Sequence, residues 1–471
     1  MIRLARPFVV LAAFVAALAR GGAQDAPAAQ PASQPASQPA TQPASAPASS
    51  DPFSARTRDR EAIRLAVAPP GLERGDYDAA ASAILDRIAA DADKLGFAEA
   101  LLARASALME RAADRAALEE RAAKLLSNEK IPGLARYRLE HFRAATALRA
   151  GDEAALLRGG DFFPGNVTSF ACIGPLGDAF PDVLSVTFEP EKGLSLGASV
   201  PGLGGVECTW KTITRRPFEP YVDLAPLGGP PQGARYAKAQ MRSSSARGAY
   251  LLLGAPSSHA VWWNGEEVAR ADWAVEPRGF RGPIPIVVRQ GWNEALVKLE
   301  GGTTVSLRVV DEKGRALAGL EESSELIDRA VPPLLEPTPK PRAYADSASK
   351  LSTWLAAQTG DVDAHALRGF VESATDRASE ALVDLREAVA AAPDRPELGV
   401  LLAETLLTAP HLPPSEAKNR AREAIDRVLA KSPAYVPALL LRADLLARDD
   451  RMEEALATLD EAEKAAPQCF L

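Results

Sequence analysis

The chain has 471 residues, 47% of them hydrophobic, with 62 acidic against 54 basic side chains and a net charge of -8. That length allows about three domains, and the apolar fraction is ample for real cores. The acidic balance and the lack of any basic block argue against a nucleic-acid or anionic-membrane binder.

Arg3 and Arg6 precede an apolar run, Pro7 to Leu18, that is too short to span a bilayer. Ala17-Leu18-Ala19 and Gly21-Gly22-Ala23 offer small-residue cleavage sites. The pattern predicts a signal peptide over 1–23. It places the mature chain in the periplasm or outside the cell, at the envelope, with no transmembrane segment after cleavage. No cysteine lies nearby to carry a lipid anchor. From Gln30 the unit Gln-Pro-Ala-Ser/Thr recurs at Gln34, Gln38 and Gln42. Such a segment has nothing to bury, so 24–54 is expected to be a disordered, semi-stiff linker.

Residues 55–158 are rich in Ala, Leu, Arg and Glu, with breakers at Pro69-Pro70-Gly71, Gly75-Asp76, Gly96, Pro132-Gly133 and Gly151-Asp152. Four to six helices in antiparallel hairpins are predicted. Leu101, Leu102, Ala105 and Leu108 mark one of them as apolar on one face.

Residues 159–317 change period. Ala249 to Leu253 is a short apolar run closed by Gly254 and Pro256. Ala260 to Trp263 runs into Asn264-Gly265, a dipeptide that accepts positive φ at both turn positions, and Glu267 to Ala269 returns. Ile284 to Val288, Ala295 to Leu299 and Val305 to Val310 follow, with Gly291 to Asn293 read as a turn. Pro285 donates no ladder hydrogen bond, which suits an edge strand or a strand start. Runs at this spacing, with no helical stripe, predict a β-sandwich or jelly roll.

The order of these pieces carries a resemblance. Phe170-Ala171-Cys172-Ile173-Gly174-Pro175, the Trp263-Asn264-Gly265 hairpin, Gly291-Trp292-Asn293 and the strand ending at Asp311 resemble the galactose-binding-like jelly roll of secreted bacterial proteins. The match covers about 165–317. Many relatives place an acidic pair where this chain has Gly254 to His259, and this departure puts in doubt the metal or sugar binding that the resemblance implies.

Residues 318–345 form a connector kept extended by Pro332, Pro333, Pro337, Pro339 and Pro341. In 346–471, prolines at 393, 433 and 467 set a register, and 467 minus 433 gives a unit of 34 residues. The last unit has Leu439, Ala443, Leu446, Ala455, Leu459, Ala462 and Pro467. It resembles a tetratricopeptide repeat, whose period is about 34 residues. The unit before it is six residues longer around Thr408 to Pro413, and a first unit keeps Gly369, Ala381, Leu385, Ala388 and Pro393. Three tetratricopeptide-like repeats are therefore expected. A final capping helix is not evident. Either the array packs on something else or the chain is the front part of a longer protein.

The expected fold class is multidomain, α plus all-β, with helical-repeat arrays flanking a β-sandwich. No cofactor or metal is called for. His141, His259, His365 and His411 stand outside any metal-ligand spacing. No nucleophile elbow or phosphate-binding glycine motif occurs, and no catalytic residue is singled out.

The candidates are for recognition. Trp262 and Trp263 are consecutive on a strand, so one faces the core and the other can stack on a sugar or a partner, or cover a neighbouring loop. Trp273 and Trp292 lie in the same domain. Phe370, Glu404, Asp444 and Arg448 fall on the inner face of the repeats, where a protein or peptide partner docks in tetratricopeptide arrays. For Cys172 and Cys208 two readings are open. One is a disulfide closing a loop worth roughly 3–4 kcal/mol; the other is two small buried core residues.

The leading expectation is a non-catalytic exported scaffold mediating protein–protein interaction. The alternatives are an accessory N-terminal part of a larger exported enzyme, transglutaminase-like or hydrolytic, and a carbohydrate-binding protein.

Overall fold

A computed structural model describes residues 52–469, except 92–93, 132, 150–159, 178–182, 231, 256, 272–282, 324, 335–336, 375–376 and 410–411. The signal-peptide reading, most of the linker, Trp273 and His411 lie outside the described residues. Helices and antiparallel sheets form the framework of the described residues.

Among the described residues, five α-helices precede the sheets: α1 (Pro52–Val67), α2 (Tyr77–Asp91), α3 (Ala98–Met109), α4 (Arg115–Leu126) and α5 (Gly133–Arg149). The linker therefore ends sooner than expected. Pro52 starts a helix, where its missing N–H costs nothing because a first-turn N–H has no intrahelical partner. Asp114 caps α4 by accepting from the Ala117 N–H at 3.0 Å. No helix among the described residues is long and apolar enough to cross a membrane.

The sheet region runs β1 (Ser169–Leu176), β2 (Ser199–Pro201), β3 (Glu207–Thr209), β4 (Lys211–Thr214), β5 (Val222–Asp223), β6 (Ala234–Ser243), β7 (Arg247–Gly254), β8 (His259–Trp263), β9 (Glu266–Ala271), β10 (Ile284–Val288), β11 (Gly291–Glu300), β12 (Thr304–Val310) and β13 (Leu320–Glu322). A seven-stranded sheet has the order β4-β1-β6-β11-β8-β9, with β13 also paired to β6. A four-stranded sheet has the order β10-β7-β12-β5.

The two sheets share one apolar core. Phe170, Cys172, Ala237, Met241, Val261, Trp263 and Val297 come from the larger sheet, and Leu251, Leu253, Ile286, Leu307 and Val309 from the smaller. Alternation decides which residues enter it. Asn264 and Gly265 have φ of 54° and 83°, as the tight β8–β9 turn needs. Pro285 sits on edge strand β10.

Two expectations are corrected. Gly291 to Asn293 are not a turn but the start of β11, paired to Ser243, Arg242 and Met241. The turn lies just before them, and Asn293 holds it from within the strand. Its amide donates to the Arg289 and Gly291 carbonyls at 2.9 and 3.1 Å, and its Oδ1 accepts from the Arg289 N–H at 2.8 Å. The sheet also runs past 317, because β13 pairs with β6.

Among the described residues, seven α-helices follow: α6 (Ser347–Ala357), α7 (Val362–Ser373), α8 (Ala378–Ala391), α9 (Pro396–Thr408), α10 (Pro414–Lys431), α11 (Val436–Ala447) and α12 (Met452–Ala465). Asp346 and Asp361 cap α6 and α7 through Ser349 and Ala364 N–H groups. Prolines open the first turns of α9, α10 and α11. The helices pair as α7–α8, α9–α10 and α11–α12, and α9 packs on α8 and α11 on α10. Gly399 allows one close crossing: a Cβ there would lie 2.3 Å from Val428 Cγ2.

The helices do not flank the sheets as the expected pair of arrays. The helices before and after the sheets do not form two separate arrays. Ile63, Ile84, Leu101 and Leu139 share a single core with Leu351, Leu367, Leu398 and Leu439. Helix α3 is buried on nearly every side, including Arg104 and Ser106, rather than on one face. It has the N-terminal helices on one side and α6 and α7 on the other. The sheets attach to this helical body through α5. There Arg308 and Glu140 make a buried ion pair at 2.8 Å, and the Gly133 N–H donates to the Lys313 carbonyl at 2.9 Å.

Candidate functional site

The inner face of the C-terminal helices is where recognition was expected, and it is occupied by the chain itself. Phe370 on α7 lies under the Arg104 guanidinium, 5.2 Å from the ring centroid. Arg104 Nε donates to the Ala66 carbonyl at 3.2 Å, which ties α1 and α3 to the same point. Glu404 on α9 pairs with Arg111 at 2.6 Å, and Arg111 also stacks on Tyr77 at 5.8 Å. Burial pushes the Tyr77 and Tyr435 phenols up and the Arg104 guanidinium down from their ordinary values. The Glu404 carboxylate holds Arg111 up. Phe370 and Glu404 are thus brought together with one partner element, the α3 segment, and are not a free groove.

Asp444 and Arg448 remain. They pair with each other at 2.8 Å on α11, with 47% and 60% of their side chains exposed. An exposed i,i+4 pair of this kind contributes a few tenths of a kcal/mol. Its two groups stay available to an incoming partner.

The tryptophans divide as alternation requires. Trp263 is buried between the sheets, and its Nε1 donates to the Val287 carbonyl of the opposite sheet at 2.8 Å. Trp262 points outward and is half-buried. It packs on a second, smaller cluster of Ile173, Leu176, Val183, Val200, Tyr236 and Leu296, which Trp210 also borders. Trp292 carries the Arg329 guanidinium at 4.0 Å.

Cys172 and Cys208 are both free thiols, so the disulfide reading is corrected. Cys172 points into the core between the sheets, and Cys208 belongs to the cluster on the outer side of the same sheet. A sheet stands between their side chains.

Sequence reasoning missed the outer-face centre under the segment 183–194. Lys298 on β11 is fully buried, with Nζ 2.8 Å from Glu191 Oε1, 2.5 Å from the Val186 carbonyl and 3.4 Å from the Leu184 carbonyl. The Tyr236 hydroxyl also donates to Glu191. Phe188 and Tyr236 rings lie 5.0 and 5.7 Å from the ammonium. Desolvation pulls the lysine's pKa down and pushes the tyrosine's up. Every polar atom named here has a partner, so this centre clamps the segment to the sheet.

A second missed group is His365, Asp384 and Glu387. His365 Nδ1 lies 3.0 Å from Asp384 Oδ1 and 3.4 Å from Glu387 Oε2. Arg368 takes both Asp384 oxygens at 2.5 Å. The donor set is already neutralised by a guanidinium, which makes it an ion-pair network between α7 and α8 and a poor cradle for a cation.

No protein-family model matches the chain, and no curated protein matches it in sequence.

Proposed function

We propose that the protein is a non-catalytic, exported scaffold that mediates protein–protein interaction. Its C-terminal helices serve as tetratricopeptide repeats and its two-sheet domain as a galactose-binding-like jelly-roll module. The observation that carries this reading is the stacking of three helical hairpins, whose second helices end at Ala392, Ser432 and Ala466. The first two inner-face positions, Phe370 and Glu404, are used within the chain. Docking therefore falls to the last hairpin, around Asp444 and Arg448.

A photo-crosslinking residue in place of Arg448, in the full mature chain, tests this in envelope extract. A discrete, saturable crosslinked species that disappears with Asp444→Arg is expected. No species, or one that is indifferent to Asp444→Arg, overturns the reading.

A second reading, glycan binding by the jelly roll, has Trp262 in its favour. It is half-buried on the outer face of the larger sheet, on the cluster that Trp210 also borders. A glycan array with the mature chain is the test. Binding lost in Trp262→Ala supports it, and no binding removes it.

A further inference from the structure

The three hairpins can be compared position by position through the ends of their second helices. Ala392 to Ser432 is a step of 40 residues, and Ser432 to Ala466 a step of 34. The C-cap N–H groups bond back to the carbonyls of Ala388, Val428 and Ala462, which fixes the register.

On α8 the column Ala378, Leu382 and Leu385 is buried, with Val389 packed against the same core. It is covered by α9. On α10 the corresponding column is Lys418, Arg422, Ile425 and Leu429. Ile425 and Leu429 are buried under α11, and Lys418 and Arg422 both clasp Asp449 of the next hairpin. On α12 the same column is Met452, Leu456, Leu459 and Glu463. Its apolar members are 54%, 59% and 37% exposed.

Scattered apolar residues are ordinary on a surface, but three at i, i+4 and i+7 make one stripe. The two joints before it show what such a column receives, which is a helix.

Charge selects which helix. Helix α12 carries Glu453, Glu454, Asp460, Glu461 and Glu463 against Lys464 alone. A second copy of α12 would set like charges against like. The α10 joint, by contrast, is closed by opposite charges across an apolar contact.

Resting on the reading of these helices as an interaction module, we propose that the open column of α12 docks a partner protein. That partner presents an amphipathic helix whose apolar stripe is flanked by lysine or arginine.

The probe is a stapled helical peptide with leucines at i, i+4 and i+7 and lysines on both flanks, titrated into the full mature chain by fluorescence anisotropy. A second peptide carries glutamates on the flanks. The lysine peptide is expected to bind saturably and at least about tenfold more tightly than the glutamate peptide. Leu456→Gln is expected to weaken it at least about tenfold, and Glu463→Lys to weaken it selectively. Both positions are exposed, so circular dichroism of the variants should match the parent.

Three outcomes overturn the proposal. Neither peptide binds, both bind alike, or binding is indifferent to Leu456→Gln. Self-association of the parent that Leu456→Gln abolishes overturns it too, because a second copy then fills the column. A crosslink at position 448 with no peptide binding defeats this inference and leaves the scaffold reading standing.

Discussion

The two faces of the seven-stranded sheet are built from the same strands by opposite means. The inner face is apolar: Phe170, Ala237, Val261, Trp263 and Val297 meet the residues of the other sheet in one hydrophobic cluster. The outer face buries Lys238, Gln240 and Lys298 beside Tyr236 and Leu296, under segments that have little regular structure of their own. The inner face is held by fit and burial. The outer face is held by pairing its buried charges, Lys298 with Glu191 and Lys238 with Glu294, so its stability depends on keeping those pairs rather than on area.

Four measurements would break or sharpen this contrast. Phe170→Ala, on the inner face, is expected to cost about 4 kcal/mol, read from the urea midpoint, because a fully buried ring leaves a cavity. Glu191→Leu is expected to cost about 3 kcal/mol, since it strands the Lys298 ammonium. The double variant Glu191→Leu/Lys298→Met should recover most of that loss. If the double variant is as unstable as the single, the outer face is held by packing and the contrast fails.

The third measurement is a pH series, at the seam between α5 and the sheets. His141 lies between Tyr137 and Phe163, with ring centroids 4.6 and 4.8 Å away. Enclosure there, helped by Arg138 and Arg308, lowers its pKa from 6.5 to about 3. The folded state then binds fewer protons than the unfolded state across that interval. Stability from this group is complete above pH 6.5 and falls as pH drops towards 3, by at most about 1.4 kcal/mol per pH unit. His141→Phe should flatten that part of the curve. An unchanged slope would show that the imidazole is not what resists protonation.

The smallest effect separates two neighbours. Trp263→Phe loses the bond to Val287 and is expected to cost about 1–2 kcal/mol. Trp262→Phe keeps the outer contact and should cost under about 0.5 kcal/mol.

The inner face could be read from the sequence because alternation and the Asn264-Gly265 turn are local signals. The strands from Arg247 to Val310 follow them closely. Gly291 to Asn293 misled because Asn293 organises a turn it does not occupy. The outer face was not legible. Val183 to Leu194 has no period, and nothing local announces that Lys298 will be covered. Among the helices, Leu101 to Leu108 gave the right element and the wrong surroundings. Periodicity marks an apolar face without naming what meets it. Phe370 and Glu404 were placed on the inner side of their hairpins, and what could not be seen was that Arg104 and Arg111 arrive from more than two hundred residues upstream.

That arrival sets a timetable for the newborn chain. The β-region draws its strands from one uninterrupted stretch ending at Glu322 and can close as soon as that stretch is available. The first five helices must wait, with the sides of α1 and α3 that pack on α6 and α7 uncovered, until those later helices have been synthesised. During that interval they are the part of the nascent protein most in need of a chaperone.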